Sequence, residues 1–566
     1  MRKSIITLIL LSTSSLLQAQ YNDIRIPEAL YGSTFDLNIH ESSKQFVTGN
    51  QTVTRAINNE SFWGPTLFIN KGDEVHIDVK NDLKESTTLH WHGMHLPAVM
   101  DGGPHQIIPP GTLWQPYWTM TNDAGTYWYH PHLHETTEAQ ITKGVGGLII
   151  VKDAVESALP LPRNYGVDDI PIIMTSRNFV ANQFSVGRAY GDYMLTNGTM
   201  NAQITLPKQV VRLRFLNAEI ERGYNLGIVN SSGITKTFYV IGNDGGLLNA
   251  PVAVTRLPVH VGERYEILVD LSGETVGSTL DIKAYNSGQS NSFPGGEPGQ
   301  TGQFGSALNN TTFNVLHINV GATTTNPITA IPSTLANNTY FTTADAKVSR
   351  TVTISGGQPV GNPFVFDSSV FNINTINKTV NIDTTEKWTI VNSPNAVFGH
   401  SFHIHDVQFK IVSRSTGSVG TYESGWKDTF FISKGESVSF VCRFKDYADA
   451  THPFMYHCHF SQHEDDGMMG QFIVKSTLAT TDFSPSTKFS LYPNPANDKL
   501  FVNLKDASTE IYYVTIATIT GRIVMMLPEP QWQNGIDISS LEAGVYTFQM
   551  MDKQTKSLST KKFIKK

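Results

Sequence analysis

Ten of the 18 histidines in this 566-residue chain fall in four short clusters. The clusters contain His90 and His92; His130 and His132; His400, His403 and His405; and His457, His459 and His463. Alternate residues of a β-strand point to the same face, so each His-x-His pair delivers two imidazoles side by side. At roughly three nitrogen ligands per ion, four such pairs suit a cluster of two or three metal ions.

Cys458 lies between two histidines of the fourth cluster, and strand alternation turns its thiol to the opposite face. The thiol therefore serves a second, adjacent site, for which His400, His463 and Met468 are the natural partners. Two imidazoles, one thiolate and a distant axial thioether describe a blue-copper electron-transfer site. One peptide link on either side of Cys458 then joins this one-electron site to the imidazole cluster.

Zinc is the main alternative ion for such clusters. A zinc site uses four ligands in total, usually in tetrahedral geometry, and does not need eight paired histidines. A single His-x-His pair in a strand is more often a structural accident than a ligand pair. Four pairs, one divided by Cys and followed by His and Gly-Met, favour a multinuclear copper site.

The elements that must position these side chains are short β-strands. Runs of alternating or β-branched residues recur between Gly, Asn, Asp and Pro turns. Examples are Glu74–Val79, Val210–Phe215, Tyr265–Leu271, Trp388–Val391 and Ser437–Phe444. Helical periodicity is scarce, so the sequence predicts an all-β protein built of sandwiches or barrels.

A weak internal repeat suggests how these strands are grouped. KGDEVHIDVKND precedes LHWHG early in the chain, and TEKWTIVNS precedes GHSFHIH late in it. KQVVRLRFLN and VGERYEILVDL, in between, have the same strand pattern without histidine pairs. We expect three homologous β-domains at 21–155, 156–325 and 326–480, of which the first and third carry ligands. The alternative is that unrelated exposed strands simply look alike.

Composition and the N-terminus restrict the partners and the location. Charged residues make up 16% of the chain and the net charge is −7 without a basic stripe, so nucleic acid is not an expected partner. Arg2 and Lys3 precede an apolar run and Leu-Gln-Ala-Gln, which predicts a secretory signal peptide over residues 1–20. A buried N-terminal helix is the alternative. No later window is apolar enough to span a membrane, so we expect no integral membrane segment after signal removal.

The histidine clusters resemble the four copper signatures of the multicopper oxidases. The matching segments read LHWHG, WYHPHLHETTEAQ, HSFHIHDVQF and YHCHFSQHEDDGMMGQF. The likeness is to the branch with three cupredoxin domains, which includes laccases, bilirubin oxidases and copper efflux oxidases. It implies three cupredoxin-like Greek-key β-barrels and four copper ions. HSFHIHD departs from the family, which usually has Pro after the first His and Gly after the last, but its spacing is intact.

The resemblance also implies which residues bind each copper ion. His400, Cys458, His463 and Met468 would bind the type 1 copper; His90 and His403 the type 2 copper; and His92, His130, His132, His405, His457 and His459 the type 3 pair. Electrons from a reducing substrate would enter at the type 1 copper and pass through Cys458. O2 would be reduced to water at the other three ions.

Two carboxylates stand beside these ligands in the sequence. Asp101 lies eleven residues after His90, and Glu464 directly follows His463. Carboxylates at a copper–water cluster can relay the protons that O2 reduction consumes, and similar enzymes use these positions in that way. The alternatives are a turn-forming role for Asp101 in Asp-Gly-Gly and a structural hydrogen-bond acceptor at Glu464. With Cys458, they are the expected catalytic residues.

The other histidines and the second cysteine have weaker assignments. His134 could support a ligand, His452 could line the type 1 surface, and His95 and His105 follow the first pair, whereas His40, His76, His260 and His317 have no motif around them. Cys442 is expected to be a buried free thiol, because a disulfide with Cys458 would destroy the blue site.

The electron donor is the least determined feature. Cuprous oxidases of the family carry a Met-rich segment over the type 1 copper, whereas the 14 Met residues here are scattered and a Gly/Ser/Asn-rich loop at 285–310 contains none. No local acidic cluster typical of an iron site is present, although distant residues could assemble one. By elimination we expect phenolic or related aromatic donors. The resemblance implies O2 as the acceptor, and we expect a monomeric enzyme. Oxidation of cuprous or ferrous ions, or copper binding with little turnover, are the alternatives.

Residues 485–566 resemble the C-terminal sorting domain of the type IX secretion system. FSLYPNPANDKLFV, VTIATITGRIV, NGIDISSLEAGVYTFQM and the basic end KKFIKK carry this likeness. It implies a small β-sandwich and export by the type IX secretion machinery, through the periplasm, to a secreted or cell-surface location. The alternative is an ordinary small β-sandwich that belongs to the oxidase.

Overall fold

A computed structural model describes residues 21–290, 292–358, 361–476, 489–504, 511–518, 522–528, 534–552 and 558–566. The expected signal peptide, residues 1–20, and the expected domain boundary at 480–485 lie outside the described residues. The chain divides into two compact units, Met1–Thr477 and Leu478–Lys566. The described part is nearly all β, as the sequence predicts. Its α-helices are Thr137–Thr142, Ala154–Ser157 and Ser461–Asp465, and no helix among the described residues is long and apolar enough to cross a membrane.

The first barrel of the larger unit packs two sheets face to face. One sheet has the strand order Ala29–Tyr31, Thr66–Asn70, Gly147–Lys152, Gly125–His130 and His90–His92. The other has the order Thr52–Ile57, Thr34–Lys44, Glu74–Asn81 and Leu113–Trp114, with Tyr117–Thr119 also paired to Glu74–Asn81. Val75, Ile77 and Val79 alternate with more exposed residues and enter the core beside Trp91 and Tyr129. This period of two is what a half-buried strand requires.

The second barrel has two seven-stranded sheets. The order of the first is Thr199–Met200, Tyr193–Thr196, Asp169–Arg177, Val210–Asn217, Arg264–Asp270, Phe238–Asn243 and Gly246–Val254. The second runs Asn22–Asp23, Ala202–Pro207, Thr312–Gly321, Thr279–Tyr285, Tyr224–Asn230 and Thr235–Lys236, with Leu257–Val259 also paired to Tyr224–Asn230. A separate hairpin joins Phe179–Val180 to Gln183–Phe184. The first described strand, Asn22–Asp23, therefore pairs within the second barrel and not the first.

The third barrel repeats the two-sheet arrangement of the first. One sheet has the strand order Phe364–Phe366, Val348–Gly356, Thr384–Asn392, Ser437–Phe444 and Phe409–Arg414. The other has the order Lys378–Asn381, Met469–Lys475, Asp449–Cys458, His400–Ile404 and Thr429–Ile432. Aromatic side chains, including Trp388, Phe402, Phe440 and Tyr456, fill the core between the sheets.

Both barrels that carry histidine clusters place them on neighbouring antiparallel strands. His90 lies opposite His130 in the first barrel, and His403 lies opposite His457 in the third. The five strand segments predicted from alternation all coincide with observed strands, apart from Leu271, which falls one residue beyond Arg264–Asp270. Pairing of adjacent strands is thus what brings the four sequence clusters together two by two.

The smaller unit is a β-sandwich with its own core. One sheet has the strand order Phe489–Tyr492, Lys499–Leu504 and Ile536–Asp537. The other has the order Ile523–Pro528, Ile511–Thr518, Gly544–Asp552 and Leu558–Lys565. Leu500, Ile516, Phe548 and Phe563 are buried between them. This architecture fits the sorting domain that the sequence predicts for this end of the chain.

Candidate metal centre

The histidine pairs of the first and third barrels meet in one buried pocket. The ring of His90 stacks on His405 at 3.9 Å between centroids, and His92 stacks on His403 at 3.8 Å. All eight paired imidazoles are buried. A pocket of eight imidazoles shared by two barrels is therefore assembled from contacts between histidines 273 to 367 residues apart in the sequence.

In three of the four pairs the first histidine lies in a strand and the second lies beyond its end. Strand alternation in the sequence predicts both histidines of each pair within one strand. The strands end at His130, Ile404 and Cys458, so the second histidine of each of these pairs begins a loop. At the first of these ends the cause is Pro131, which has no N–H to donate to the ladder. The side chains nevertheless remain on the pocket side, because the departure from the strand follows the first histidine.

Two imidazoles in the pocket, those of His90 and His403, have Nδ1 fixed by a backbone carbonyl oxygen and Nε2 without a partner in the described chain. Nδ1 of His90 donates to the carbonyl oxygen of Asp101 at 2.8 Å, and Nδ1 of His403 donates to the carbonyl oxygen of Asp428 at 2.9 Å. In both rings Nε2 is buried and has no hydrogen-bond partner within the described chain. A ring fixed through Nδ1 with a free Nε2 lone pair is the usual arrangement of a metal-binding histidine.

The other six imidazoles form two trios in which ring nitrogens face one another. One trio is His132, His405 and His457, and the other is His92, His130 and His459. His132 Nε2 lies 3.2 Å from Nε2 of His405 and 3.1 Å from Nε2 of His457. His92 Nδ1 lies 3.4 Å from Nε2 of His130 and 3.2 Å from Nε2 of His459.

Most of these facing nitrogens carry lone pairs rather than hydrogens. The opposite nitrogen of His405 donates to Asp101 Oδ2 at 2.7 Å, and that of His130 donates to the Pro131 carbonyl at 2.9 Å. Burial, followed by neighbouring imidazoles, lowers the pKa of both rings well below its ordinary value, so they are neutral. Lone pairs at this separation repel one another unless a cation lies between them, so the donor set fits metal ions.

The thiol site lies directly behind this pocket. Sγ of Cys458 is 3.7 Å from Nδ1 of His400 and 3.7 Å from Nδ1 of His463. Met468 is buried in the same core cluster, and its carbonyl oxygen accepts from the Cys458 N–H at 3.1 Å. Burial raises the pKa of the Cys458 thiol, so a thiolate here requires a cation beside it. A soft metal ion with two imidazoles and one thiolate fits these residues.

Sequence and structural comparisons agree with this geometry. Models of the multicopper oxidase family match residues 40–156 and 336–477, and the model of the secretion system C-terminal sorting domain matches residues 490–566. Over 451 residues the chain is 30% identical to the multicopper oxidase mco of Staphylococcus epidermidis, covering 78% of this chain and 88% of that protein. The chain belongs to the multicopper oxidase family.

Other relatives of this multicopper oxidase carry different names. This chain is 32% identical to the cell division protein FtsP of Sodalis glossinidius, in an alignment that covers 79% of this chain and 90% of that protein. A laccase-like multicopper oxidase, CueO, from Ochrobactrum sp. has a similar solved structure, with a TM-score of 0.70, 27% identity and coverage of 80% of this chain and all of that one. Family membership therefore implies copper and oxidoreductase chemistry, and the sorting domain indicates export.

The two carboxylates expected in the oxidase both touch the imidazole pocket. Asp101 accepts from His405 through Oδ2, and its Oδ1 is buried without a partner in the described chain. Glu464 Oε1 lies 3.1 Å from His132 Nδ1 and accepts from the Thr137 hydroxyl at 2.7 Å. Burial alone raises the pKa of Glu464, but the neighbouring imidazoles outweigh it and lower that pKa to about 2. In one trio, His405 and His132 are thus each contacted by a buried carboxylate.

Three charged residues of the oxidase that sequence analysis missed lie at these sites. Asp428 Oδ1 accepts from His92 Nε2 at 3.1 Å, and Arg264 binds the same carboxylate. Glu221 Oε1 lies 3.9 Å from Nε2 of His463. None of the three stands within a histidine motif, and all reach the sites from distant segments, so no local spacing could have identified them.

The remaining histidines of the oxidase have individual partners. His105 lies 2.8 Å from Gln471, His452 pairs with Asp449, His134 packs edge-on against Phe371, and His260 stacks on Phe431. His95 pairs with both Asp406 and Asp446, which joins the first barrel to the third. Both cysteines are free, and Cys442 is buried in the third core, as predicted.

Proposed function

We propose that this multicopper oxidase takes single electrons from phenolic or related aromatic donors and reduces O2 to water. Its copper ligands are the twelve residues named above: His400, Cys458, His463 and Met468 for type 1; His90 and His403 for type 2; and His92, His130, His132, His405, His457 and His459 for type 3. When bound, the four coppers supply one-electron redox chemistry and together hold the four electrons that O2 needs.

One observation carries this proposal. Cys458 is flanked in the chain by His457 and His459, and each of these imidazoles belongs to a different trio. One buried thiol is thus connected by a single peptide link to each half of the imidazole pocket. Such a connection serves electron transfer and has no evident use in copper storage.

Buried carboxylates can supply the protons that O2 reduction consumes. Asp101 Oδ1 and Glu464 Oε2 have no hydrogen-bond partner in the described chain, so each has an oxygen that is free to receive a proton in transit to the pocket. The surrounding residues exclude bulk water, since both carboxylates are 1% exposed or less. Their role in the oxidase is proton transfer to the reacting oxygen.

Aromatic side chains near His463 favour an aromatic donor. Phe364 lies 4.5 Å from the His463 ring, and Phe398 lies 6.1 Å from Phe364 and 5.2 Å from Phe304. An aromatic substrate can pack on such rings in offset or edge-on geometry. The similar CueO of Ochrobactrum sp. is described as active towards lignin model compounds and lignosulfonate, which is consistent with phenolic donors.

A cationic donor, Cu(I) or Fe(II), is the second candidate. Glu221 is buried, its Oε1 has no hydrogen-bond partner in the described chain, and it faces Nε2 of His463. Burial, and then the nearby carboxylate of Glu297, raise its pKa to about 8. A metal cation beside the His463 ring would take the place of the proton that burial favours on Glu221.

Oxygen uptake by copper-loaded protein distinguishes the candidates. We expect turnover with a methoxyphenol in wild-type protein and in Glu221→Gln. Efficient turnover with Cu(I) or Fe(II), lost specifically in Glu221→Gln and kept in the control Glu274→Gln, which alters a half-buried carboxylate paired with Lys236, would favour the second candidate. Copper binding without oxygen uptake from any of these donors would contradict both.

The mature enzyme consists of cupredoxin domains at 21–155, 156–325 and 326–480. Type IX export through the periplasm removes residues 1–20 and then the sorting domain at 485–566, which leaves a secreted or surface-attached monomer. Mass analysis of culture fluid and periplasm tests this route. A mature protein retained in the periplasm with residues 489–566 intact would contradict it.

A further inference from the structure

His92 is bound differently from its neighbours in the imidazole pocket. It turns Nδ1 to the other rings of its trio, whereas His130 and His459 present Nε2. Its Nε2 donates instead to Asp428 Oδ1 at 3.1 Å. The hydrogen bond at one ring nitrogen decides which nitrogen carries the proton, so Asp428 keeps the Nδ1 lone pair of His92 free for a metal ion.

Asp428 also fixes a second ligand through its backbone. Its carbonyl oxygen accepts from His403 Nδ1 at 2.9 Å, which leaves Nε2 of that ring free. The rings of His92 and His403 lie stacked, with an angle of 13° between their planes. One residue thus sets opposite tautomers in two stacked imidazoles.

The carboxylate of Asp428 is held by an arginine of the second barrel. Arg264 donates from Nη1 to Oδ1 at 2.7 Å and from Nη2 to Oδ2 at 2.6 Å. Its other three N–H groups donate to the carbonyl oxygens of Thr126, Gly262 and Asp244. All five guanidinium donors are therefore used, so neither partner can rotate without leaving a buried polar group unpaired.

The same segment of the second barrel touches another member of this trio. A Cβ built on Gly262 would lie 2.8 Å from Cδ2 of the His459 ring, and the residue has φ of +86°. Only glycine fits such a position without displacing the imidazole. Residues 262–264 therefore contact His459 directly and reach His92 through Asp428, although the second barrel provides no ligand.

We propose that Gly262 and Arg264 are positioning residues for one half of the type 3 pair: Arg264 locks Asp428, Asp428 presents Nδ1 of His92 to the metal, and Gly262 allows close packing on His459. This role rests on the copper assignment proposed above. The second barrel then completes the trinuclear site and is more than a spacer between the two ligand-bearing barrels.

Arg264→Lys tests whether Arg264 holds the Asp428 carboxylate in place, with Arg212→Lys as the matched control. Arg212 is an equally buried arginine of the same sheet that binds Glu266 and Glu156 and touches no imidazole in the described chain. Lysine keeps the positive charge but cannot donate a bidentate pair of hydrogen bonds to a carboxylate. The measurements are copper retention against a chelator, the EPR-detectable fraction of copper, blue absorption, and the melting temperature of the metal-free protein.

We expect Arg264→Lys to retain trinuclear copper about 10–100-fold less tightly and to raise the EPR-detectable fraction, because an intact coupled pair is EPR-silent. Blue absorption should persist, and the control should keep both properties of the wild type. Full copper with an EPR-silent pair in Arg264→Lys would overturn the proposal. Equal copper loss in both variants would overturn it as well, because the role would then be structural.

Nitrogen-15 NMR of the metal-free protein provides a second test that needs no copper. In wild type we expect the ring proton of His92 on Nε2. Its signal is identified because it is missing from the spectrum of His92→Gln. In Asp428→Ala the Nε2 proton of His92 loses its carboxylate acceptor, and we expect the proton to move to Nδ1, which faces Nε2 of His130 and His459. An unchanged tautomer would overturn the proposal. If wild type itself fails to bind copper, the proposed function fails while this readout still decides the role of Asp428.

Discussion

The thiol site and the imidazole pocket are one peptide link apart, yet they are built in different ways. His400, Cys458, His463 and Met468 all come from the third barrel, three of them within eleven residues. The imidazole pocket draws its ligands from the first and third barrels and an arginine clamp from the second. The thiol site is therefore fixed by local backbone geometry, whereas the pocket depends on how the barrels pack.

The two sites also differ in the polarity of their surroundings. Phe364 and Phe460 pack near the His463 ring, Met468 is buried in the same core as Cys458, and burial lowers the pKa of His463 to about 3. The imidazole pocket instead has Asp101, Glu464 and Asp428 hydrogen-bonded or close to its rings. An apolar shell suits electron transfer, which moves no protons, and a ring of carboxylates suits oxygen reduction, which consumes them. The first two of the following predictions separate the two sites, and the third tests the barrel packing on which the imidazole pocket depends.

Loss of the thiol should have the largest effect. Cys458→Ser should abolish the blue absorption and donor oxidation, because the thiolate is the electron path, while the imidazole pocket still binds copper. Absorption spectra, copper counts and oxygen uptake measure this. Cys442→Ser is the matched control and should stay blue and active. A blue, active Cys458→Ser protein would refute the assignment.

Asp101→Asn should affect the pocket and spare the thiol site. It keeps the hydrogen-bonding shape but removes the proton-holding carboxylate, so oxygen reduction should slow by about 10²-fold. Anaerobic reduction of the blue site, followed by stopped flow, should remain near the wild-type rate. Surface Asp123→Asn should change neither rate. If both steps slow equally in Asp101→Asn, the relay role is wrong.

His95 should have the smallest effect, on the stability of the barrel contact. Burial alone would lower its pKa, but the carboxylates of Asp406 and Asp446 raise it to about 9. Because the pKa is raised on folding, the stabilisation is complete below about pH 6.5 and is lost as pH rises through about 9.

His95→Gln should therefore lower the free energy of unfolding by about 1–3 kcal/mol at pH 6 and by little above pH 9. Denaturant titrations of both proteins across this range measure the difference. His76→Gln, which alters an exposed pair with Glu74, should change stability by less at every pH. A difference that grows with pH would show that the ion pairs of His95 do not stabilise the contact.

The same contrast explains how much could be predicted from the sequence. The thiol site and the His-x-His pairs are short-range patterns, and strand alternation is enough to group them. Arg264 and Asp428 are 164 residues apart, and Glu221 and His463 come from different barrels. Contacts of this kind follow from barrel packing and leave no spacing in the chain. Of the three strand ends inside the histidine pairs, the one at His130 has a local cause, Pro131.

The most direct test of the central claim is the stoichiometry of donor oxidised per O2 consumed by the copper-loaded protein. If Cys458 delivers electrons to a complete imidazole-bound cluster, four equivalents of a one-electron phenolic donor should be oxidised per O2, with no hydrogen peroxide released. Two equivalents per O2 with accumulation of peroxide would contradict the account, because the thiol site would then not be coupled to a cluster that holds four electrons.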